Sequence, residues 1–267
     1  MKTKIEPLIT LLTDFGRADW FAGTMKGVIA SISPGCRVID ISHEIEPGNI
    51  KQAALALKCS YRFFPPGTVH LVVVDPGVGS DREVLLVSGG GYSFIAPDNG
   101  VLSYIFAELP AASIYRVTGS EFFLKPLSST FHGRDLFAPL AAHLAAGKRP
   151  EELGELFSRS PVTFPLPAAR PEGEGSFQIE IVSRDRFGNL FTSLPSARIA
   201  EEKKEVELEA SGRRQFLPLV KSYGAVGRGK PLAIRGSCGY LELAVNGGDA
   251  SRELKLKVGD TARITFK

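Results

Sequence analysis

Four short, nearly unbroken runs of Val, Ile and Leu, at Leu8 to Thr13, Val38 to Ile41, Val69 to Val74 and Val84 to Val87, constrain the fold of this chain more than any other feature of its sequence. A strand with one wet face alternates polar and apolar residues. These runs do not, so each predicts a strand covered on both faces, as in a parallel sheet between helices. The intervening stretches supply the helices. Phe21 to Ser33 and Ile50 to Phe63 have helical apolar spacing, and a third helix is expected from Asp135 to Ala146, where Leu136, Leu140 and Leu144 recur every fourth residue ahead of Gly147.

The pattern then changes. Between Pro161 and Gly175, four prolines and two glycines resist helix and central strand alike. Beyond them alternation takes over, at Phe177 to Ile181, Glu205 to Glu209, Leu241 to Val245, Leu254 to Val258 and Arg263 to Phe266, the signature of an antiparallel sheet or barrel with one solvated face. The expected fold class is α/β: a larger N-terminal α/β domain (1–160) with a mainly parallel central sheet, a Pro/Gly-rich linker (161–175) and a small C-terminal antiparallel β domain (176–267).

A chain of 267 residues, 43% of them hydrophobic, can bury a sizeable core without metals or crosslinks. Its cysteines, Cys36, Cys59 and Cys238, are odd in number and form no CxxC pair, which argues against a disulfide framework and a zinc site and predicts a reducing, cytoplasmic setting. Only a brief apolar run precedes Asp14, so neither signal peptide nor membrane span is expected. A net charge of +3, with both signs evenly mixed, gives no electrostatic basis for a nucleic-acid surface.

Two carboxylates stand at the carboxyl ends of predicted parallel strands: Asp14 in Thr13-Asp14-Phe15-Gly16, and Asp75 in Asp75-Pro76-Gly77-Val78-Gly79, with Arg82 seven residues on. Ligands of open α/β sheets bind beyond those ends. By itself, though, Asp14 also reads as a helix cap and Asp75 as the start of a Pro-Gly turn. Among the four histidines, His132 stands apart in a Gly-bearing loop at a helix entry, a place that suits catalysis and capping equally, whereas His43, His70 and His143 read as structural. Asp14-Phe15-Gly16 lacks the preceding loops of a kinase. Gly77-Val78-Gly79 lacks the third glycine and the helix of a dinucleotide fingerprint. In the C-terminal half, Asp185-Arg186-Phe187-Gly188-Asn189, Ser237-Cys238-Gly239 and Asn246-Gly247-Gly248 break the strands; a Phe beside an Asn suits a purine ring, and hairpin turns account for the same residues.

In this order, Thr13-Asp-Phe-Gly, Asp40-Ile-Ser-His-Glu-Ile, Phe63-Phe-Pro-Pro-Gly-Thr-Val-His, Val74-Asp-Pro-Gly-Val-Gly, Ala96-Pro-Asp-Asn-Gly, Phe131-His-Gly-Arg-Asp-Leu-Phe-Ala-Pro, Arg186-Phe-Gly-Asn and Gly239-Tyr-Leu-Glu-Leu-Ala-Val-Asn resemble the S-adenosyl-L-methionine (SAM) hydroxide adenosyltransferase family, relatives of the enzymes that make fluoro- and chloro-adenosine. The resemblance spans nearly the whole chain. It implies hydrolysis of SAM to adenosine and methionine without metal or organic cofactor, in a homotrimer whose sites lie between the N-terminal domain of one subunit and the C-terminal domain of its neighbour. It implies an Asp75, Arg82 and His132 triad for the hydroxide. By the same resemblance Asp14 accepts from the ribose hydroxyls, Asp185, Ser237 and Cys238 fall near the methionine, Phe187, Asn189 and Tyr223 fall near the adenine, and Phe131, Val245 and Gly247 are further substrate-binding positions.

The chemistry agrees with those roles. A sulfonium leaves as a neutral thioether and needs no general acid, while water, with a pKa near ~15.7, must be relieved of a proton to attack C5′. A carboxylate paired with Arg and a His can orient that water and hold hydroxide. The halogenating relatives have Tyr and Thr in the region of Asp75 and Val78 and Ser near Gly133, so the charge of Asp75 repels halide here. Those relatives also have an aromatic residue at Gly48 and Arg at Cys238. Competing readings are a noncatalytic SAM or adenosine sensor, a SAM-dependent halogenase, and a nucleic-acid module in the β half, the last having little basic and aromatic interleaving to support it.

Overall fold

The computed structural model describes residues 6–210 and 212–267, which divide into two compact units between Pro165 and Leu166. In the first unit, seven strands form one sheet in the order β2-β1-β3-β5-β4-β6-β7: β1 (Leu8–Thr13), β2 (Arg37–Ser42), β3 (Val69–Val73), β4 (Val84–Gly89), β5 (Tyr92–Pro97), β6 (Ser113–Val117) and β7 (Gly154–Leu156). The parallel pairings β1/β2, β1/β3 and β3/β5 carry the apolar runs at 8–13 and 69–73, which are buried on both faces as expected. The run at Val84 differs: β4 is antiparallel to both β5 and β6. Gly90 and Gly91, at φ 60° and 84°, make the two-residue turn that returns the chain beside β4, and two successive left-handed residues are what such a hairpin requires. β6 is restored to the direction of β5, so five of the seven strands still run one way.

Helices α1 (Phe21–Ile32), α2 (Ile50–Ser60) and α3 (Ser103–Glu108) cover the sheet, with Asn49 capping α2 through a 3.0 Å bond from Gln52 N–H. The third predicted helix begins earlier than its leucine spacing suggests and with a wider turn. Ala138 N–H reaches back five residues to Gly133 O, and α4 (Ala138–Ala145) continues from there. Pro139 is the cause: lacking an N–H, it frees the Asp135 carbonyl, which instead accepts from Leu124 N–H at 2.8 Å. A short helix, α5 (Pro150–Leu153), precedes β7.

The Pro-rich segment is seated rather than slack. Val162 N–H donates to Asp98 Oδ1 (2.8 Å) and Phe164 N–H to Ser103 Oγ (3.1 Å). In the second unit Arg170–Gly173 forms β8, an edge strand where Pro171 is tolerated. The remaining strands, β9 (Ser176–Arg184), β10 (Leu190–Pro195), β11 (Glu205–Ala210), β12 (Arg213–Val220), β13 (Pro231–Arg235), β14 (Tyr240–Val245) and β15 (Thr261–Phe266), run β10-β14-β13-β12-β11-β15-β9, and β9 pairs with β10 to close a barrel. All pairings are antiparallel except β12/β13. Among the described strands, closure leaves only β8 as an outer edge. The alternating stretch 254–258 is not a strand. Asp249 caps helix α6 (Ala250–Leu254) by accepting from Ser251 N–H at 3.0 Å, Lys255 ends it at φ 56°, and Leu254 and Leu256 are buried from helix end and loop. Alternate burial there is produced by a capped turn.

His70 is fully buried in β3 among Tyr61, Phe64, Tyr92 and Phe94, stacked on Phe94 at 5.2 Å. Its Nδ1 meets Thr10 Oγ1 across the β1/β3 pair at 2.8 Å, while Nε2 has no hydrogen-bond partner among the described residues, and burial lowers its pKa to about 4. The unfolded chain takes up a proton near pH 6.5 and the folded one only near 4, so stability is lost as pH falls through that window. That single group sets an upper bound of about 3 kcal/mol on the loss. Denaturant unfolding between about pH 7 and pH 4 should show a shallower decline in His70→Gln than in the wild type; equal slopes would remove His70 from the account.

Candidate active site

β1 and β3 are neighbours in parallel register, Thr13 opposite Val73, so Asp14 and Asp75 emerge side by side at the carboxyl edge of the sheet. Each is held by its surroundings. Asp14 Oδ2 accepts from Gly48 N–H at 2.8 Å. Its loop is tied by Gly16 N–H to His43 O (2.7 Å), and His43 bonds Thr13 Oγ1 (2.8 Å). Asn99 Nδ2 donates to Val74 O at 2.9 Å, bracing the backbone just before Asp75 and giving the Ala96-Pro-Asp-Asn-Gly motif a structural use.

The loop after Asp75 folds back through two successive turns, with Val78 N–H on Asp75 O (3.2 Å) and Ser80 N–H on Gly77 O (3.1 Å). This brings Arg82 onto the carboxylate: Nε lies 2.8 and 2.7 Å from Oδ1 and Oδ2, and Nη2 also bonds Oδ2. The same Nη2 bonds His132 Nδ1 at 2.9 Å, and the guanidinium lies over the Phe137 ring. Asp75, Arg82 and His132 are thus one hydrogen-bonded chain, nearly all of it buried, with side-chain exposures of 4% and 10% for the ion pair.

Arginine can only donate, so Nδ1 of His132 accepts and its ring proton sits on Nε2. Burial first, and then the Arg82 charge, lower the pKa of His132, which keeps it neutral near pH 7. Asp14, Asp75, Phe131 and His132 line a common cavity of about 160 Å³. A water occupies ~30 Å³ of liquid, so there is room for several waters or one sugar-sized group. Phe15 and Phe21 pack on Phe131 at 6.0 and 5.0 Å to form its apolar wall. These two rings, with Val73 and Thr130, were not singled out from the sequence; the aromatic cluster around 15–21 was the available signal.

The second unit carries a separate pocket of about 670 Å³ lined by Asp185, Phe187, Asn189, Tyr223, Val245 and Gly247, six residues expected near substrate, together with Gly248 and Asp249. Such a volume is in the range of sites for cofactor-sized ligands. Phe187 is 79% exposed, presenting an open ring face. Asp185 turns inward to its own loop, accepting from Phe187 N–H (2.9 Å), Asn189 N–H (2.8 Å) and Asn189 Nδ2 (2.9 Å). The last bond fixes the Asn189 amide. Gly188 is obligatory, for at φ 90° a Cβ would lie 2.6 Å from the Asp249 side chain. Ser237 and Cys238 lie in the β13–β14 turn and do not line this pocket. Among the described residues no His/Cys/Asp/Glu cluster could hold a metal ion, and no helix is long and apolar enough to cross a membrane.

Residues 9–154 match the model of the SAM hydroxide adenosyltransferase N-terminal domain and residues 179–263 that of its C-terminal domain. The chain belongs to this family. It is 36% identical over 261 residues to an (R)-S-adenosyl-L-methionine hydrolase of Salinispora tropica, covering 97% of this chain and 98% of the relative. It is 36% identical over 268 residues to the Thermus thermophilus protein of the same name, with 96% and 98% covered. A fluorinase of an Actinoplanes species is 29% identical over 290 residues, covering 97% of each chain. A crystal structure titled as an uncharacterized conserved protein from Thermotoga maritima superposes with a TM-score of 0.92 at 37% identity, over 96% of this chain and 99% of that one. The two matched stretches fall one in each of the two units.

Gly79, at φ 80°, lets the Arg82 loop cross the 129–132 segment: a Cβ would come 2.4 Å from Ser129 O. In Gly79→Ala the two loops must part, pulling Arg82 from His132. A displacement of this kind costs activity on the order of 10- to 100-fold. Kinetics of Gly79→Ala should show that loss, and an unchanged rate would mean the two loops need not touch.

Proposed function

We propose that this chain hydrolyses SAM to adenosine and L-methionine by in-line attack of water-derived hydroxide on ribose C5′. The observation that carries the reading is the buried Asp75–Arg82–His132 chain bordering one cavity with Asp14. It is supported by the full-length similarity to proteins named (R)-S-adenosyl-L-methionine hydrolase.

Within that reading each residue has a role set by its bonds. Asp14 accepts from the ribose hydroxyls, oriented by Gly48 N–H. Arg82 holds the Asp75 carboxylate and, through Nδ1, the imidazole. With Nε2 already protonated, His132 serves as a donor to the attacking oxygen, and the lone pairs that Arg82 leaves on Asp75 accept the proton of the water. Hydroxide forming beside Arg82 and the Nε2–H is stabilised among buried side chains, where such bonds are worth more than in bulk water. The displaced methionine leaves as a thioether and takes no proton. Phe131 packs beside the sugar, Phe187, Asn189 and Tyr223 receive the adenine with Val245 and Gly247 alongside, and Asp185, Ser237 and Cys238 lie toward the methionine. Each unit offers one part of this site, in keeping with the homotrimer and interfacial site that the family resemblance implies. A cytoplasmic protein without nucleic-acid or membrane partners accords with three cysteines that form no disulfide and with evenly mixed charge along the chain.

Incubation with SAM in heavy-oxygen water should yield equimolar methionine and adenosine with the label in the 5′-hydroxyl. Label absent from adenosine would exclude attack at C5′, and halogenated nucleoside in the presence of halide would favour the halogenase reading. Asp75→Ala and His132→Ala should each lower kcat by about 100-fold or more while SAM still binds; binding with no wild-type turnover would leave a sensor.

Protonating Nδ1 of His132 destroys its bond from Arg82 and sets two cations side by side. Activity should therefore rise with pH through a midpoint below the ordinary histidine value of 6.5 and be level near pH 7. A pH–rate profile of wild type against His132→Asn checks this: the acid limb belongs to the wild type and is missing from the variant's residual rate.

A further inference from the structure

Glu242 looks from the sequence like the wet side of an alternating strand, yet it is 3% exposed. It shares a face of β14 with Ala244, which packs against Leu232 and Ile234 under Val220 and Val226. The chain carrying Tyr223 and Val226 roofs this outer face of the barrel, and Asn246 Nδ2 pins it by donating to Val226 O at 2.7 Å. Beneath that roof no cation among the described residues neutralises Glu242. Burial, and the neighbouring Asp185, raise its pKa. Burying a carboxylate unpaired costs several kcal/mol, so an apolar residue here would suit stability better.

Two features show that the carboxyl group has a built berth. Gly236 makes space for it, since a Cβ there would lie 1.9 Å from Glu242 Oε1 and 2.4 Å from Cδ. The other oxygen, Oε2, accepts the Tyr223 hydroxyl at 2.9 Å. Tyr223 opens a single three-residue turn with no side-chain cap, and its ring, 42% exposed, walls the 670 Å³ pocket that also holds Phe187 and Asn189. A half-exposed ring on a short loop has several rotamers open to it, and a bond from its far end to a buried acceptor leaves one.

We infer that Glu242 is a positioning residue for the base-binding pocket: it holds the Tyr223 ring in the stacking orientation through the phenol, and so governs affinity for the purine end of the ligand and not the rate of the chemical step. The inference rests on the reading of that pocket as the adenine side of the site proposed above.

The test combines steady-state kinetics on SAM with calorimetric titration of adenosine, for wild type, Glu242→Ala, Glu242→Gln, Tyr223→Phe and the double variant Glu242→Ala/Tyr223→Phe. Glu242→Ala should raise both KM and the adenosine Kd roughly tenfold, about 1.4 kcal/mol, with kcat within about twofold of wild type. Glu242→Gln keeps an oxygen acceptor and should recover most of the affinity. Tyr223→Phe should match Glu242→Ala, and the double variant should be no weaker than either single one, because both remove the same bond. Wild-type affinity in Tyr223→Phe, a fall in kcat at unchanged KM in Glu242→Ala, or no recovery in Glu242→Gln would each overturn the inference. Should Glu242→Ala fail to fold, Tyr223→Phe, which deletes a single oxygen, decides alone. A wild type that binds adenosine but releases no methionine from SAM defeats the proposed reaction and leaves this inference to the Kd values; one that binds no adenosine defeats it as well.

Discussion

The guanidinium of Arg82 is the interaction on which the N-terminal site depends. It divides its donors between a carboxylate and an imidazole, and because it cannot accept, it dictates the state of both: Asp75 stays a paired acceptor and His132 exposes a proton at Nε2. Everything around it serves to bring three segments to that point. β1 and β3 deliver Asp14 and Asp75 together, Gly79 allows the loop crossing, and Pro139 unties the Asp135 carbonyl so that the wide turn following His132 is anchored by Leu124.

The C-terminal unit solves a different problem with similar economy. A closed barrel satisfies its backbone bonds around the ring and leaves loops free to carry side chains. The Asp185–Asn189 loop spends its carboxylate on its own amides, which stiffens the exposed Phe187 and sets the Asn189 amide. Asp249 caps α6 while also ion-pairing Arg184 at 2.7 Å, so the opposite wall of the pocket is held from two sides. Both units place polar donors and acceptors on short, tethered loops over a rigid sheet, the arrangement that preorganises a site.

Much of this was legible from residue order. Unbroken apolar runs at 8–13 and 69–73 identified doubly covered parallel strands, and that alone put Asp14 and Asp75 at the edge where ligands bind. Alternation identified the β-rich second unit. What misled was local pattern with more than one structural cause. Val84 to Val87 has the same apolar run as its parallel neighbours, but the glycines at 89–91 turn it into a hairpin. Leu254 and Leu256 alternate in burial because a helix ends between them.

The chain's own order of residues thus determined the two kinds of β structure, the strand ends that carry carboxylates and, through eight ordered motifs, the family. Tertiary structure decided what no period of two or 3.6 contains. Alternation says which residues share a face; it does not say whether another loop will cover that face, as the Tyr223 turn covers Glu242. Nor does spacing say which nitrogen of His132 is spoken for, since that depends on Arg82, fifty residues away in sequence and 2.9 Å away in space. Hydrogen bonds and burial are set by distance through the fold, and only the folded chain supplies it.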